Sequence, residues 1–250
     1  MVKLKKRIFV IPCILVVLLL LLGNGCSKNE NDPNCVLDYD GNVYHTVTIG
    51  TQTWMVENLR TTHFNDGAEI PIVTSNREWA SLETAACCSF NNTTNTDSIK
   101  AFGLLYNGYA VKTGKLCPKG WHIPSDAEWT ILENYLIANG YNYDSLLTDN
   151  NCAKALAAAT RWMPYYGDGM VGNTDYPNKR NATGFTALPS GYRVHDGFHS
   201  AGLYGGWWSF TDYIFIVNAA YDRYLAYNSS SVFRASSTYI TGLSVRCLKD

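Results

Sequence analysis

The run LCPKGWHIPSDAEW, residues 116–129, constrains this chain more than any other stretch. Gly and Pro stand at fixed offsets from Cys117, Trp121 and Trp129, and the run closes on Ser125-Asp126-Ala127-Glu128. That is the S-x-x-E spacing of a capping box, in which the Ser oxygen accepts from a first-turn N–H and the Glu reaches back, so a helix starts here. Trp129, Leu132 and Leu136 fall on one stripe of it, and Gly140 suits a left-handed exit. Ser75-Asn76-Arg77-Glu78 repeats the spacing and predicts another helix.

Val43, His45, Val47 and Ile49 alternate with Tyr44, Thr46 and Thr48, which predicts a strand over 43–49. Gly50-Thr51-Gln52 turns it into a second strand at 53–56. The Ala-rich segment 152–160 predicts a short helix anchored by Leu156. Beyond Trp162 the residues Gly, Pro, Asn, Tyr and Ser dominate, with short strands predicted at 185–188, 192–194, 207–209, 224–227, 232–235 and 244–248. Strand signals separated by turn residues, after a half containing two main helices, give an α+β domain with antiparallel sheets.

Lys3, Lys5, Lys6 and Arg7 precede an apolar run at 8–22, and Gly23-Asn24-Gly25-Cys26 follows, the three parts of a signal peptide. The run carries Pro12 and falls short of the roughly 20 residues a membrane span needs. Cys26 stands where bacterial lipoproteins are acylated, with Gly23 in a place more often held by Leu. A diacylated N-terminus anchors by burying CH₂ groups at about 0.8 kcal/mol each; the plainer alternative is a secreted protein whose Cys26 carries no lipid. Residues 27–34 (SKNENDPN) contain no apolar side chain and read as a flexible tether. The expected organisation is a signal peptide at 1–25, acylated Cys26 with its tether at 26–37, and one domain at 38–250. The expected location is the outer membrane, on the cell surface or on its periplasmic face.

Removing residues 1–25 deletes four basic and no acidic side chains, which leaves 16 basic against 21 acidic and a net charge of −5. Nucleic acid is a poor partner for such a chain. Outside the signal and Cys26, the cysteines are Cys35, Cys87, Cys88, Cys117, Cys152 and Cys247, an even number in an oxidising compartment. A bridge between the adjacent Cys87 and Cys88 would be strained, so Cys35 and Cys152 stand as their possible partners.

The same pairing of Gly or Pro with Trp, Tyr or Cys recurs in DYDGNVYHTVTIGTQTWMVENLRTT (38–62), AFGLLYNGYAV (101–111), GFTALPSGYR (184–193), GGWWS (205–209) and GLSVRCLKD (242–250). Together with the central run these blocks resemble the Fibrobacter succinogenes major paralogous domain family, over nearly all of the chain after Asp38. That family resembles a branch of the C-type-lectin-like fold, alongside the formylglycine-generating enzymes. The resemblance implies an extracytoplasmic domain. It also implies a bridge between Cys117 and Cys247, because C-type-lectin-like domains tie the region of the first long helix to the final strand. It implies no settled activity.

Asp126 and Glu128 could act as an acid/base pair, but the capping box already accounts for both carboxylates at a helix N-terminus. His195 and His199 lie four apart beside Asp196, a zinc spacing on a helix; Gly197 and Gly202 make the stretch a loop, where solvated histidines are the other reading. Calcium-dependent lectins use Glu-Pro-Asn or Gln-Pro-Asp and a later Trp-Asn-Asp to surround the ion with oxygens. Asp32-Pro33-Asn34 falls in the tether, Tyr176-Pro177-Asn178 lacks the acid, and no Trp precedes Asn-Asp. The formylglycine-generating relatives use paired cysteines in the C-terminal half, where this chain has only Cys247 beyond Cys152. No metal and no cofactor is expected.

Residues 210–239 (FTDYIFIVNAAYDRYLAYNSSSVFRASSTY) are dense in Tyr, Ser, Asn and Phe, the bias of paratopes, where Tyr gives contact area at low entropic cost. A solvated sheet surface with aromatic cross-strand pairs is the other reading. Alternation sets Arg223 and Leu225 on one side of a strand and Val232 and Arg234 on one side of the next. Asp222, Tyr224, Asn228 and Phe233 then face outward, with Tyr213, Phe215 and Tyr239 in flanking loops, as the candidate ligand-binding residues. The expected function is a calcium-independent binding or adhesion module for glycan or protein. The alternatives are an extracytoplasmic enzyme of unrecognised site acting on polysaccharide or protein, and a structural envelope protein.

Overall fold

The computed structural model of this chain describes residues 34–250. The expected signal peptide at 1–25, the expected acylation site Cys26 and residues 27–33 lie outside them. The described part is mixed α and β, with mostly antiparallel sheets and few helices.

The hairpin β2 (Val43–Ile49) and β3 (Gln52–Met55) forms where alternation places it, with Gly50 at φ 63 in its turn. A strand within the segment read as tether, β1 (Cys35–Leu37), pairs antiparallel with β2. Val36 packs against the core there, which accounts for the strand. The chain continues through α1 (Asn76–Ala80), β4 (Cys87–Cys88), α2 (Thr96–Phe102), β5 (Leu105–Tyr106), α3 (Gly108–Lys112) and β6 (Trp121–His122).

Helix α4 (Asp126–Ala138) carries the full capping box, with the Ser125 hydroxyl accepting from the Glu128 N–H and the Glu128 carboxylate accepting from the Ser125 N–H. Trp129, Leu132 and Leu136 are its buried stripe, and Gly140 follows at φ 72. The Ala-rich helix is shorter than its sequence suggests: α5 (Ala153–Leu156) stops where Ala157 turns extended and bridges Ala187. No strand forms at 185–188, since Thr186 takes a left-handed φ of 57 and the local hydrogen bonds run to Asn181.

The C-terminal half supplies β7 (Tyr192–Val194), β8 (Gly197–His199), β9 (Tyr204–Asp212), β10 (Ala219–Ala226), β11 (Phe233–Thr238) and β12 (Leu248–Lys249). One sheet has the order β1-β2-β3-β12-β6, which sets the last strand between two early ones. The other main sheet is β11-β10-β9. Successive residues of a strand face opposite ways, and here Trp207 enters a core with Trp54, Trp129 and Phe185, while Trp208 enters another with Tyr44, Met55 and Tyr106. Sheet β11-β10-β9 therefore stands between the two cores. Trp54 and Trp129 have ring centroids 4.7 Å apart. Arg246, fully buried beside them, lies 4.1 Å over the Phe185 ring and donates to Asn58 Oδ1 at 2.8 Å, and burial pushes its guanidinium down to about 9.

Cys117 and Cys247 are bridged, which ties the approach to α4 to the approach to β12. Cys87, Cys88 and Cys152 are buried free thiols, so Cys87 and Cys88 pair with neither Cys35 nor Cys152. The reason is position: Cys87 and Cys88 alternate into different clusters, and Cys152 lies in the core of Trp54.

Candidate functional site

Strand β10 is the spine of the candidate surface, and its register decides which side chains meet. Tyr224 lies opposite Phe233, and their rings stack 4.6 Å apart at 12°. Tyr204 stacks on the other side of Tyr224 at 4.8 Å, Tyr192 meets Tyr204 edge-on at 5.2 Å, and His199 stacks on Tyr192 at 5.5 Å. Five rings thus cross from the edge strand β11 to the β7–β8 hairpin. Such contacts contribute about 0.5–1.5 kcal/mol each beyond the area they bury.

Asp222 shares this face but does not point outward as expected, being 1% exposed. Its strand neighbours are Trp208 and Ala235, and the β-bulge between Ala220 and Asp222 sets it at the depth of the Trp208 core. Ser237 donates to its Oδ2 at 2.9 Å, and Oδ1 has no partner. Burial pushes the carboxyl up to about 6, against the Ser237 bond and the Arg223 charge. It is thus a buried acid beneath the rings rather than a rim contact.

The remaining expected residues fall into separate groups. Tyr213 meets Phe215 at 5.4 Å and Tyr221 at 5.2 Å, and the Arg234 guanidinium lies 3.9 Å over the Tyr221 ring. Phe215 is 76% exposed. Tyr239 packs edge-on to Tyr109 and donates its hydroxyl to Asp212, closing the base of the β9–β10 hairpin. Asn228 is exposed in the β10–β11 turn. Sequence reasoning missed Tyr192, Tyr204 and Tyr221; Tyr204 stood just outside the strand predicted at 207–209.

Arg223 and Leu225 are buried on one side, as expected, but Arg234, set beside Val232 by alternation, has a side chain 49% exposed. It reaches Asp126 at the start of α4 instead. Asp126 and Glu128 are thus occupied, Asp126 by Arg223 and Arg234, and Glu128 by Ser125 and His122. His195 lies in the turn between β7 and β8, as the loop reading has it, whereas His199 lies on β8 and pairs with Asp196 at 2.8 Å. Among the described residues no group of three His, Cys, Asp or Glu could hold a metal ion. Burial pushes the Cys88 thiol up to about 11 and Cys152 up to about 12, and raises Cys87 further, so none presents a thiolate at neutral pH. A cleft of about 670 Å³ beside β2 is lined by His45, Glu57, Arg60, Asp97 and Lys100. His45 and Glu57 pair there at 2.6 Å, and Arg60 bonds Asn42 and the Val43 carbonyl.

The chain matches the model of the Fibrobacter succinogenes major domain over residues 47–249. It belongs to that family. No curated protein and no solved structure matches it. The Fibrobacter succinogenes major domain runs here from within β2 to β12, so it includes the Trp54 core, most of the Trp208 core, the Cys117–Cys247 bridge and the whole ring row. Strand β1 precedes the match.

Proposed function

We propose that this Fibrobacter succinogenes major domain is a C-type-lectin-like binding module, held at the outer membrane through acylated Cys26 and taking a glycan or protein ligand without calcium. The observation that carries the reading is the ring row ending at β11, an edge strand whose outer side pairs with no strand among the described residues. Aromatic faces and edges with hydroxyls and Ser side chains beside them suit sugar rings and peptide side chains alike. Support for the fold comes from the sequence blocks and from the Cys117–Cys247 bridge that the resemblance implies. Support for the anchor is the charged region, apolar run and Gly25-Cys26 junction.

Screening the purified chain on glycan and protein arrays tests the reading. Saturable binding without turnover is the expected result, and turnover of a polysaccharide without retention would replace it with an enzyme. Cys26→Ser should move the protein from the membrane to the soluble fraction; unchanged detergent partitioning, with no lipid mass on the N-terminal peptide, removes the anchor from the proposal.

A further inference from the structure

The β9–β10 hairpin ends in an apolar finger that nothing in the fold uses. Ile214, Phe215, Ile216 and Val217 are consecutive and 83%, 76%, 48% and 87% exposed. Their backbone is nevertheless held, because the Tyr213 N–H donates to Ala219 O at 2.8 Å and the Tyr239 N–H donates to Asn218 O at 2.6 Å. A fixed protrusion that presents four apolar side chains to water marks a contact surface.

We propose that this finger dips into the lipid interface of the membrane to which the chain is tethered, and so orients the domain. Three observations favour lipid over a protein pocket. First, aromatic rings stand behind the aliphatic tip: Tyr213 meets both Phe215 and Tyr221, Arg234 lies over Tyr221 and is held by Asp126, and Lys112 lies 4.2 Å over Phe210 and is held by Asp212. Aromatic rings settle at headgroup depth, below which an aliphatic tip meets acyl chains. Second, a protein hot spot is rich in Trp, Tyr and Arg, whereas this tip is aliphatic apart from Phe215.

Third, the tether is short. Residues 27–34 span about 29 Å at most when fully extended, so acylated Cys26 holds the domain against the bilayer. A run of contacts links its exit to the hairpin base: Cys35 lines a cleft with Asn65, Pro118 and Lys119, the Asn65 N–H donates to the Lys115 carbonyl at 2.9 Å, and the neighbouring Gly114 lies beside the Phe210 ring. This step rests on the proposed anchor. The orientation leaves the ring row free, since Tyr224 lies five residues along β10 from Ala219, about 16 Å at ~3.3 Å per residue.

The test uses the full chain in phosphatidylcholine vesicles containing a lipid-borne nitroxide quencher. Phe215→Cys and Tyr166→Cys each receive an environment-sensitive thiol dye, with the parent chain labelled identically as background. Cys87, Cys88 and Cys152 are buried and escape labelling. Tyr166 is 95% exposed, and its neighbour Tyr165 packs on Tyr227 beyond the far end of β10, so it reports the side away from the membrane. The expected result is blue-shifted emission at 215 and quenching several-fold greater than at 166. Replacing Ile214, Ile216 and Val217 together by Ser should remove that excess without unfolding the domain. Water-like emission and equal quenching at both sites, in protein that sediments with the vesicles, overturns the finger while leaving the anchor standing. Failure to sediment overturns both. Shielding of position 215 only after an envelope protein is added assigns the finger to a protein partner and also overturns the proposal.

Discussion

Arg223 and Arg234 stand directly opposite each other on β10 and β11, and the Asp126 carboxylate holds both. Like charges facing across strands are destabilising unless an anion lies between them. Asp126 comes from the first turn of α4, so this contact locks the helix onto the sheet. Glu133, about two turns further along, takes the other side of Arg223 at 2.5 Å.

Asp126→Asn should therefore destabilise the domain by about 3 kcal/mol, because it leaves the nearly fully buried Arg223 partly uncompensated. Arg234→Ala should cost about 1 kcal/mol or less, its side chain being half exposed. The Arg234 bond is the main cause holding the Asp126 carboxyl below its usual range, with Arg223 adding and burial opposing. A depressed folded-state value means that this contribution is complete above the unfolded value near 4 and disappears as pH falls below it. Urea unfolding of both variants at pH 7 checks the ordering, and equal effects would refute it.

The helix start was legible because a capping box is a local code, complete within four residues. The Asp126 contacts were not, since their partners lie 97 and 108 residues away and the helix dipole already accounted for the carboxylate. Alternation set Tyr224 and Phe233 each on the outward side of its strand, and the register then stacks their rings. It could not separate Asp222 from Tyr224, which share a face, because depth there depends on the neighbouring Trp208. Tyr204 was hidden by Gly205-Gly206, which resembles a turn. A Cβ at Gly205 would lie 2.5 Å from the Leu188 carbonyl oxygen, so close packing rather than chain reversal explains that glycine.

Thiol chemistry gives a second prediction. In the native protein Cys87, Cys88 and Cys152 should resist an aromatic disulfide reagent and react only on unfolding, since all are buried and their thiols are raised. The Cys117–Cys247 bridge closes a separation of 130 residues, and its replacement by two Ser residues should cost about 2–5 kcal/mol. Thiol counting and melting curves check both, and rapid native labelling at Cys152 would contradict the buried assignment.

His122 supplies the third. It lies between Asp250 at 2.7 Å and Glu128 at 3.0 Å, joining the chain end to the α4 cap. Burial lowers its basicity, but the bonds to Asp250 and Glu128 outweigh this and raise it above the usual histidine value. A raised folded-state value makes the stabilisation complete below the unfolded value near 6.5 and lost as pH rises through the folded one. His122→Gln should therefore destabilise more at pH 5.5 than at pH 9, by about 1 kcal/mol or less given its exposure. A deficit that grows with pH would reverse the assignment.

Chelation supplies the fourth. EDTA should leave the melting temperature unchanged, because the carboxylates a metal would need are engaged elsewhere, Asp126 by two arginines and Glu128 by Ser125 and His122. A fall of several degrees, restored by one particular ion, would reveal a site.

The ring row yields the last prediction. Tyr224 and Phe233 present one stacked unit at an open sheet edge, whereas Tyr213 belongs to the hairpin group around Phe215 and Tyr221. If ligand binds the row, Tyr224→Ala and Phe233→Ala should each weaken it by about 1 kcal/mol or more, as interface hot spots do. Tyr213→Ala should leave affinity within a few tenths of a kcal/mol of the parent, since its ring lies in the other group. Both row substitutions remove a stacked partner and cost stability, so affinity must be measured on folded protein well below its melting point. Phe233→Leu separates the two effects, for it keeps apolar volume while removing the aromatic face. Loss of affinity in Phe233→Leu with little loss of stability places the ligand on the ring, and retained affinity in all three row variants moves the site away from β10 and β11.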